Sequence, residues 1–202
     1  MDLGIANRKA LVTGASRGLG RSIASCLAEE GVQVALVARN EADIKSFINE
    51  NDGKHIGLIY DLIPKGNPTK MVDELKDKFG YPDIIVHNVG GNLDITDPLC
   101  GIGEWQEVYR FNLEIAIELN QLLIPHMQNN KWGRIVHISS IAALENQGTI
   151  PYCSIKAALT SYTRSLGRYV SPDGINISSV LPGAVYTKGG YWDITSKTRP
   201  EH

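Results

Sequence analysis

The chain has 202 residues, 43% apolar and 21% charged, with a formal net charge of −2. That length suits a single domain over 1–202, and the near-neutral balance removes any electrostatic case for nucleic acid or an anionic membrane as partner. No apolar run reaches membrane-spanning length, the N-terminus lacks a basic segment followed by an apolar core, and the three cysteines, Cys26, Cys100 and Cys153, stand far apart, which points to reduced thiols and a cytoplasmic protein.

The first element is the apolar run Ala10-Leu11-Val12. It enters Thr13-Gly14-Ala15-Ser16-Arg17-Gly18-Leu19-Gly20, and Leu19, Ile23 and Leu27 then recur at helical spacing. Strand, glycine turn and helix follow one another, with the helix's free N–H groups and positive end aimed over the turn, a place that suits an anion. Three motifs compete for these residues. A phosphate loop needs Gly-x-x-x-x-Gly-Lys-Ser/Thr, and here that register reads Ala15, Gly20, Arg21, Ser22, so the first glycine and the lysine are absent. A hydrolase nucleophile elbow matches Gly14-Ala15-Ser16-Arg17-Gly18. That fold needs earlier strands to flank the nucleophile, and only Met1 to Lys9 precede this one. A dinucleotide-binding turn fits Gly14, Gly18 and Gly20, against the plainer reading of a glycine turn with no ligand.

Val32–Ala38 reads as a buried parallel strand, broken only by Gln33 and ended by Arg39 and Asn40. Ala42–Asn51 suggests a helix with Asn40 as N-cap. Ile56–Tyr60 is a third strand, ending at Asp61. Pro68–Phe79 is helical, with Gly80 just past its end. Ile84–His87 is a fourth strand running into Asn88-Val89-Gly90-Gly91. Glu104–Asn129 reads as one long helix, on which Asn112 falls awkwardly beside an apolar face. Arg134–Ile138 is the fifth strand, ending in Ser139 and Ser140, Pro151–Val170 a further helix, and Ile175–Leu181 a sixth strand ending at Pro182-Gly183.

Strands alternate with helices throughout. The pattern predicts an α/β, doubly wound parallel sheet of Rossmann type in three layers, α/β/α. Ligands of such sheets bind at the carboxyl ends of the strands, where Gly14–Gly20, Arg39, Asp61, Asn88–Gly90, Ser139–Ser140 and Pro182–Gly183 all fall. The five histidines are scattered, and no Cys/His spacing suggests a metal site. Tyr152 and Lys156, four apart on a helix, share a face. A tyrosine is a poor acid at neutral pH, but a neighbouring ammonium stabilises its phenolate. Such a pair, with a serine to hold a carbonyl or alcohol oxygen, suits proton transfer coupled to hydride exchange with a cofactor. Taken alone, the pair reads more readily as a surface feature.

In order along the chain stand Thr13-Gly14-x-x-x-Gly18-x-Gly20, Asp61-Leu62, Asn88-Val89-Gly90, Asn112, Ser140, Tyr152-x-x-x-Lys156 and Pro182-Gly183-x-x-x-Thr187. With them the chain resembles the short-chain dehydrogenase/reductase family, of the compact, 3-oxoacyl-reductase-like type. The resemblance implies that Tyr152 is the general acid in reduction and base in oxidation. It implies that Lys156 binds the nicotinamide ribose and lowers the tyrosine's pKa, that Ser140 holds the substrate oxygen, and that Asn112 holds a relay water. Gly14, Ser16, Arg17, Gly18, Leu19 and Gly20 would seat the pyrophosphate. Asp61 and Leu62 would meet adenine, Asn88 and Gly90 the adenosine ribose, and Pro182, Gly183, Val185 and Thr187 the nicotinamide end.

An acidic residue after the second strand would select NAD by repelling a 2′-phosphate. Here that region is Ala38-Arg39-Asn40, and Arg17 adds a second cation. The cofactor expected is therefore NADP(H), against the plain reading of Arg39 as a solvent-facing charge. The expected function is hydride transfer between NADP(H) and a ketone or secondary alcohol, a small-molecule carbonyl or alcohol substrate. The family's commonest spacing selects Ser139, whereas alignment of the strand end selects Ser140, the choice made here. After Thr187 the family normally continues with a lid, a helix and a seventh strand. Lys188–His202 offers at most a lid beginning at Tyr191 and Trp192, so an incomplete C-terminal end and an exposed sixth strand are expected. A cofactor-binding but inactive fragment, or an interaction protein on this fold, is the alternative, with a Ser16 hydrolase behind it. The resemblance also implies a homodimer or homotetramer.

Overall fold

The computed structural model describes residues 2–187 and 191–198. Six strands, β1 Lys9–Thr13, β2 Gln33–Ala38, β3 Ile56–Ile59, β4 Ile84–His87, β5 Gly133–Ile138 and β6 Ile175–Val180, form one sheet in the order β3-β2-β1-β4-β5-β6. Every neighbouring pair is parallel. Parallel strands buried on both faces need continuous apolar runs, and β2 supplies one: Val34 to Ala38 are all buried.

Successive side chains leave a strand on opposite faces, and the core divides accordingly. Leu11 of β1 joins Met71 and Leu75 of helix α3 (Asn67–Lys78) and Leu119 and Leu123 of α5 (Ile115–Asn129). Ala10 and Val12 join the opposite cluster with Ala24 of α1 (Gly18–Glu29) and Ile44 and Phe47 of α2 (Glu41–Glu50). Helix α6, Ile150–Val170, lies on the α5 side and places Val170 in the first cluster. The result is the three-layer, doubly wound α/β fold that the alternation of elements predicts. The chain crosses the sheet between β3 and β4, so β1 and β4 are neighbours and a crevice opens above their carboxyl ends.

Local signals set the helix ends. The Asn40 side chain accepts from the Ala42 and Asp43 amides, capping α2. Gly80, at φ 86°, ends α3 in the left-handed conformation.

The long helix predicted over Glu104–Asn129 starts slightly earlier and is not uniform. A π-helical turn, Arg110–Glu114, joins α4 (Ile102–Tyr109) to α5. The extra residue in that turn carries Asn112 inward.

Helix α7, Tyr191–Thr198, is an element the sequence reading does not contain. Tyr186 donates to Asp193 (2.6 Å), which also meets Lys197 (2.6 Å). The side chains of Tyr191 and Trp192, the suggested lid, lie outside the described residues, as do Lys188 and Arg199–His202.

Among the described residues β6 forms one margin of the sheet, with Asn176, Ser178 and Val180 exposed. Among them, too, no helix is long and apolar enough to cross a membrane.

Candidate active site

The site starts where β1 ends. Thr13 Oγ accepts from the amides of Asn88 (3.0 Å) and Val89 (3.2 Å), tying β1 to β4. The Asn88 side chain donates to the carbonyls of Thr13 (3.1 Å) and Gly14 (3.1 Å). Asn88 thus braces the glycine turn as well as lining the crevice above it.

Gly14 and Gly18 take φ values of 64° and 56°, which side chains rarely adopt. A methyl group on Gly20 would overlap the Gly14 carbonyl and the Asn88 amide. The turn is therefore as tight as glycine permits. The first-turn N–H groups of α1 have no partner within the helix, Arg17 makes no side-chain cap bond, and the first turn holds no acidic residue. That end of α1 can receive an anion.

A cleft of about 270 Å³ lies above the turn. It is lined by Gly14, Ser16, Arg17, Gly18, Arg39, Asp61, Leu62, Asn88, Gly90 and Thr187, all read from the sequence as cofactor-binding residues. Thr187 sits against Gly18 and brings the end of the β6 loop to the turn. Arg17, Arg39 and the α2 N-terminus share an adjoining hollow. Among the described residues neither arginine is in an ion pair. The nearby Glu41 carboxylate is held by Lys45 at 2.7 Å.

The remaining cofactor candidates do not line the cleft. The Leu19 side chain packs toward the core, and Gly20 is buried beneath the turn. Pro182, Gly183 and Val185 lie beyond it, with the Pro182 carbonyl accepting from Ile141 N (3.0 Å). Six lining residues were not read as binding residues: Val37, Ala38, Tyr60, Ile63, Val89 and Phe111. Tyr60, directly before Asp61 at a strand end, carried a usable signal. The others read as ordinary core.

Gly90 connects the cleft to the proton-transfer groups. A side chain there would meet Asn112 Oδ1 at 2.7 Å and Lys156 Nζ at 2.9 Å. Asn112 accepts from Gly91 N (3.0 Å) and donates to the carbonyls of Gly91 (2.8 Å) and Val108 (2.9 Å). These bonds satisfy the amide that looked misplaced on an apolar face.

Lys156 is buried and donates to the Ile138 carbonyl at 2.9 Å. Burial lowers its pKa to about 8. Its ammonium lies 5.6 Å from the centre of the Tyr152 ring. Burial raises the Tyr152 pKa, opposed by a hydrogen bond from Ser140. Burial prevails, and the lowering by Lys156 that the resemblance implies is not among the causes of the shift.

Ser139 and Ser140 point to opposite sides, as strand geometry requires. Ser139 is buried and bonded to the Lys156 carbonyl (3.1 Å) and Thr160 Oγ (2.9 Å). Ser140 turns toward Tyr152 and also accepts from Ala142 N (3.1 Å).

Beneath this cluster runs a buried polar chain. His87 Nε2 meets Asn120 Oδ1 (2.8 Å), and Asn120 Nδ2 meets His137 Nε2 (3.2 Å) and Tyr162 Oη (3.2 Å). His137 Nδ1 meets Thr163 Oγ (2.9 Å), which donates to the Leu159 carbonyl (2.8 Å). The bonding gives His137 an accepting Nε2 and a donating Nδ1, hence a neutral imidazole, while His87 donates through Nε2 to the Asn120 oxygen. Burial lowers both pKa values, that of His87 to about 4.

A family model described as short chain dehydrogenase matches residues 8–191. The chain is 31% identical over 179 residues to a 3-oxoacyl-acyl-carrier-protein reductase of Haemophilus influenzae, covering 88% of this chain and 74% of that protein. It is 33% identical over 196 residues to a hydroxy(phenyl)methylsuccinyl-CoA dehydrogenase subunit of Thauera aromatica, covering 95% and 77%. The L-sorbose reductase of Gluconobacter frateurii, solved with NADPH and L-sorbose, superposes with a TM-score of 0.91 at 28% identity, covering all of this chain and 78% of that one.

Proposed function

This chain belongs to the short-chain dehydrogenase family, and from that premise we propose that residues 1–202 act as one NADP(H)-dependent domain that reduces a ketone or oxidises the matching secondary alcohol. The observation that carries the reading is the meeting of Tyr152, Ser140, Lys156 and Asn112 beside Gly90, at the end of an arginine-lined cleft.

The residues present fit the cofactor. The glycine cradle and the α1 N-terminus suit a pyrophosphate, Asp61 and Leu62 an adenine, and Arg17 and Arg39 a 2′-phosphate. When bound, NADPH supplies a hydride to the carbonyl carbon. The chain's own groups manage the proton. Burial keeps Tyr152 a phenol at neutral pH, so its O–H donates to the carbonyl oxygen as the carbon–oxygen π pair moves there. Ser140 holds that same oxygen. Lys156 places a positive charge behind the tyrosine and stabilises the phenolate left after transfer. Asn112 fixes the Gly90–Gly91 backbone against which Lys156 lies. Alcohol oxidation runs through the same groups reversed, with the phenolate as base.

The test is NADPH consumption with a panel of neutral ketones, followed by loss of cofactor absorbance. Ketone-dependent consumption with NADPH preferred over NADH is the expected result. Tight NADPH binding with no consumption on any carbonyl would instead favour a cofactor-binding protein without turnover.

A further inference from the structure

We propose that Arg110, which takes no part in proton transfer, is a positioning residue for the cofactor: it fastens the loop after β3 to the π-helical turn and so fixes the shape of the adenine end of the cleft. This rests on the cofactor reading above.

The loop between β3 and α3 supplies Asp61, Leu62 and Ile63 to the cleft lining, and the π-helical turn supplies Phe111. The loop's own bonds are local. Asp61 accepts from Ile63 N (3.0 Å), and the Asn67 side chain donates to the Asp61 carbonyl (2.8 Å). Arg110 adds the long-range tie. Its Nε donates to the Ile63 carbonyl (2.8 Å) and its Nη2 to the Leu62 carbonyl (3.0 Å). Among the described residues no other donor reaches either carbonyl. One planar edge of the guanidinium spans two successive carbonyls, a fork that an ammonium cannot reproduce.

The third nitrogen, Nη1, faces Glu118 (2.8 Å) and Glu114 (3.5 Å). These carboxylates neutralise a guanidinium that is only 7% exposed, so its charge is held inside the protein. Its role differs in kind from that of Arg17 and Arg39, which border the hollow proposed for the 2′-phosphate.

Asn112, on the same π-helical turn, accepts from Gly91 N and donates to the Gly91 carbonyl. Arg110 and Asn112 therefore pin the loops after β3 and β4 to one turn, with Phe111 between them in the cleft lining. Turns of this kind recur at functional sites. A loop ordered before the ligand arrives need not be ordered by it, and affinity is higher by that difference.

The test titrates NADPH, NADH and 2′,5′-ADP against the wild type, Arg110→Met and Arg110→Lys. Methionine keeps the length of the side chain and leaves both carbonyls without their donor. All three ligands are expected to bind Arg110→Met more weakly by a common factor of at least about tenfold, because the change is one of shape and not of charge toward the 2′-phosphate. Hydride transfer from the NADPH-saturated protein is expected to stay within about threefold of the wild type, the pattern of lost ground-state binding. Arg110→Lys should show an intermediate loss of about three- to tenfold, and it carries the test if Arg110→Met does not fold. Unchanged affinity for 2′,5′-ADP in a folded variant would overturn the inference. So would a loss confined to NADPH and 2′,5′-ADP with NADH unaffected, which would mark attraction of the phosphate. A saturated rate that falls in step with affinity would show a general loosening around Asn112 and would overturn it too. If the wild type binds NADPH without turnover, the titrations alone decide. If it binds none of the three ligands, the cofactor reading has failed and this inference falls with it.

Discussion

At the scale of single residues, the balance between burial and partner charge decides the chemistry. Lys156 loses its charge near pH 8 because it is buried, whereas burial holds Tyr152 protonated well above neutrality. The proposed reduction uses the phenol and the ammonium together. The expected pH profile of kcat/KM for reduction is therefore flat through neutrality and falls as pH rises through about 8, with Lys156 setting the limb. A profile still flat far above that pH would remove Lys156 from this role. The buried histidines work in the opposite direction. The folded pKa of His87 lies below its ordinary value, so the native state favours the neutral ring. Its contribution is complete above pH 6.5 and is lost as pH falls from there toward 4. That displacement corresponds to about 3 kcal/mol. Urea midpoints taken across this range should drop steeply for the wild type and less for His87→Gln; parallel curves would show that His87 titrates alike in both states. The sequence shows His87 as the end of a buried strand. It does not show Asn120, His137 and Tyr162 around it, because their meeting depends on how α5 and α6 roll against the sheet.

At the scale of elements, hydrophobic periodicity located every strand and the helices through α6 to within a few residues, since buried parallel strands and amphipathic helices write their burial directly into residue order. Two features escaped for physical reasons. The π-helical turn at Arg110–Glu114 adds one residue to a helix whose apolar spacing looks regular on both sides. Only the placement of Asn112, bonded to Gly91 and Val108, discloses it. Helix α7 lies in a polar run whose helix is held by Tyr186, Asp193 and Lys197, contacts that propensity does not foresee. The choice between Ser139 and Ser140 needed the loop after β5, whose length spacing alone left ambiguous. The glycine turn was the most legible element, because its left-handed backbone at Gly14 and Gly18 favours glycine. Gly20→Ala should cost about 1–3 kcal/mol through overlap with the Gly14 carbonyl, read as a lower thermal midpoint, and should weaken NADPH binding at least about tenfold by displacing the turn. An unchanged midpoint with unchanged affinity would mean that the turn relaxes without consequence.

At the scale of the whole molecule, doubly wound topology gathers residues distant in sequence along one edge. Arg17 and Arg39 line the cleft above the glycine turn and the hollow beside it, where the proposed 2′-phosphate would lie. Replacing Arg17 and Arg39 together with alanine should weaken NADPH binding by about 10- to 100-fold, the loss of two charge-assisted contacts, and change NADH binding by no more than about threefold. Equal losses for both cofactors, measured by fluorescence titration, would remove the arginines from cofactor choice. The central claim joins that cofactor to a proton from Tyr152, and single-turnover mixing of the NADPH complex with a neutral ketone tests it most directly. The wild-type chain should oxidise bound NADPH in one phase. Tyr152→Phe should bind NADPH as tightly yet react about 10²- to 10⁴-fold more slowly. Equal rates in the two proteins would contradict the account.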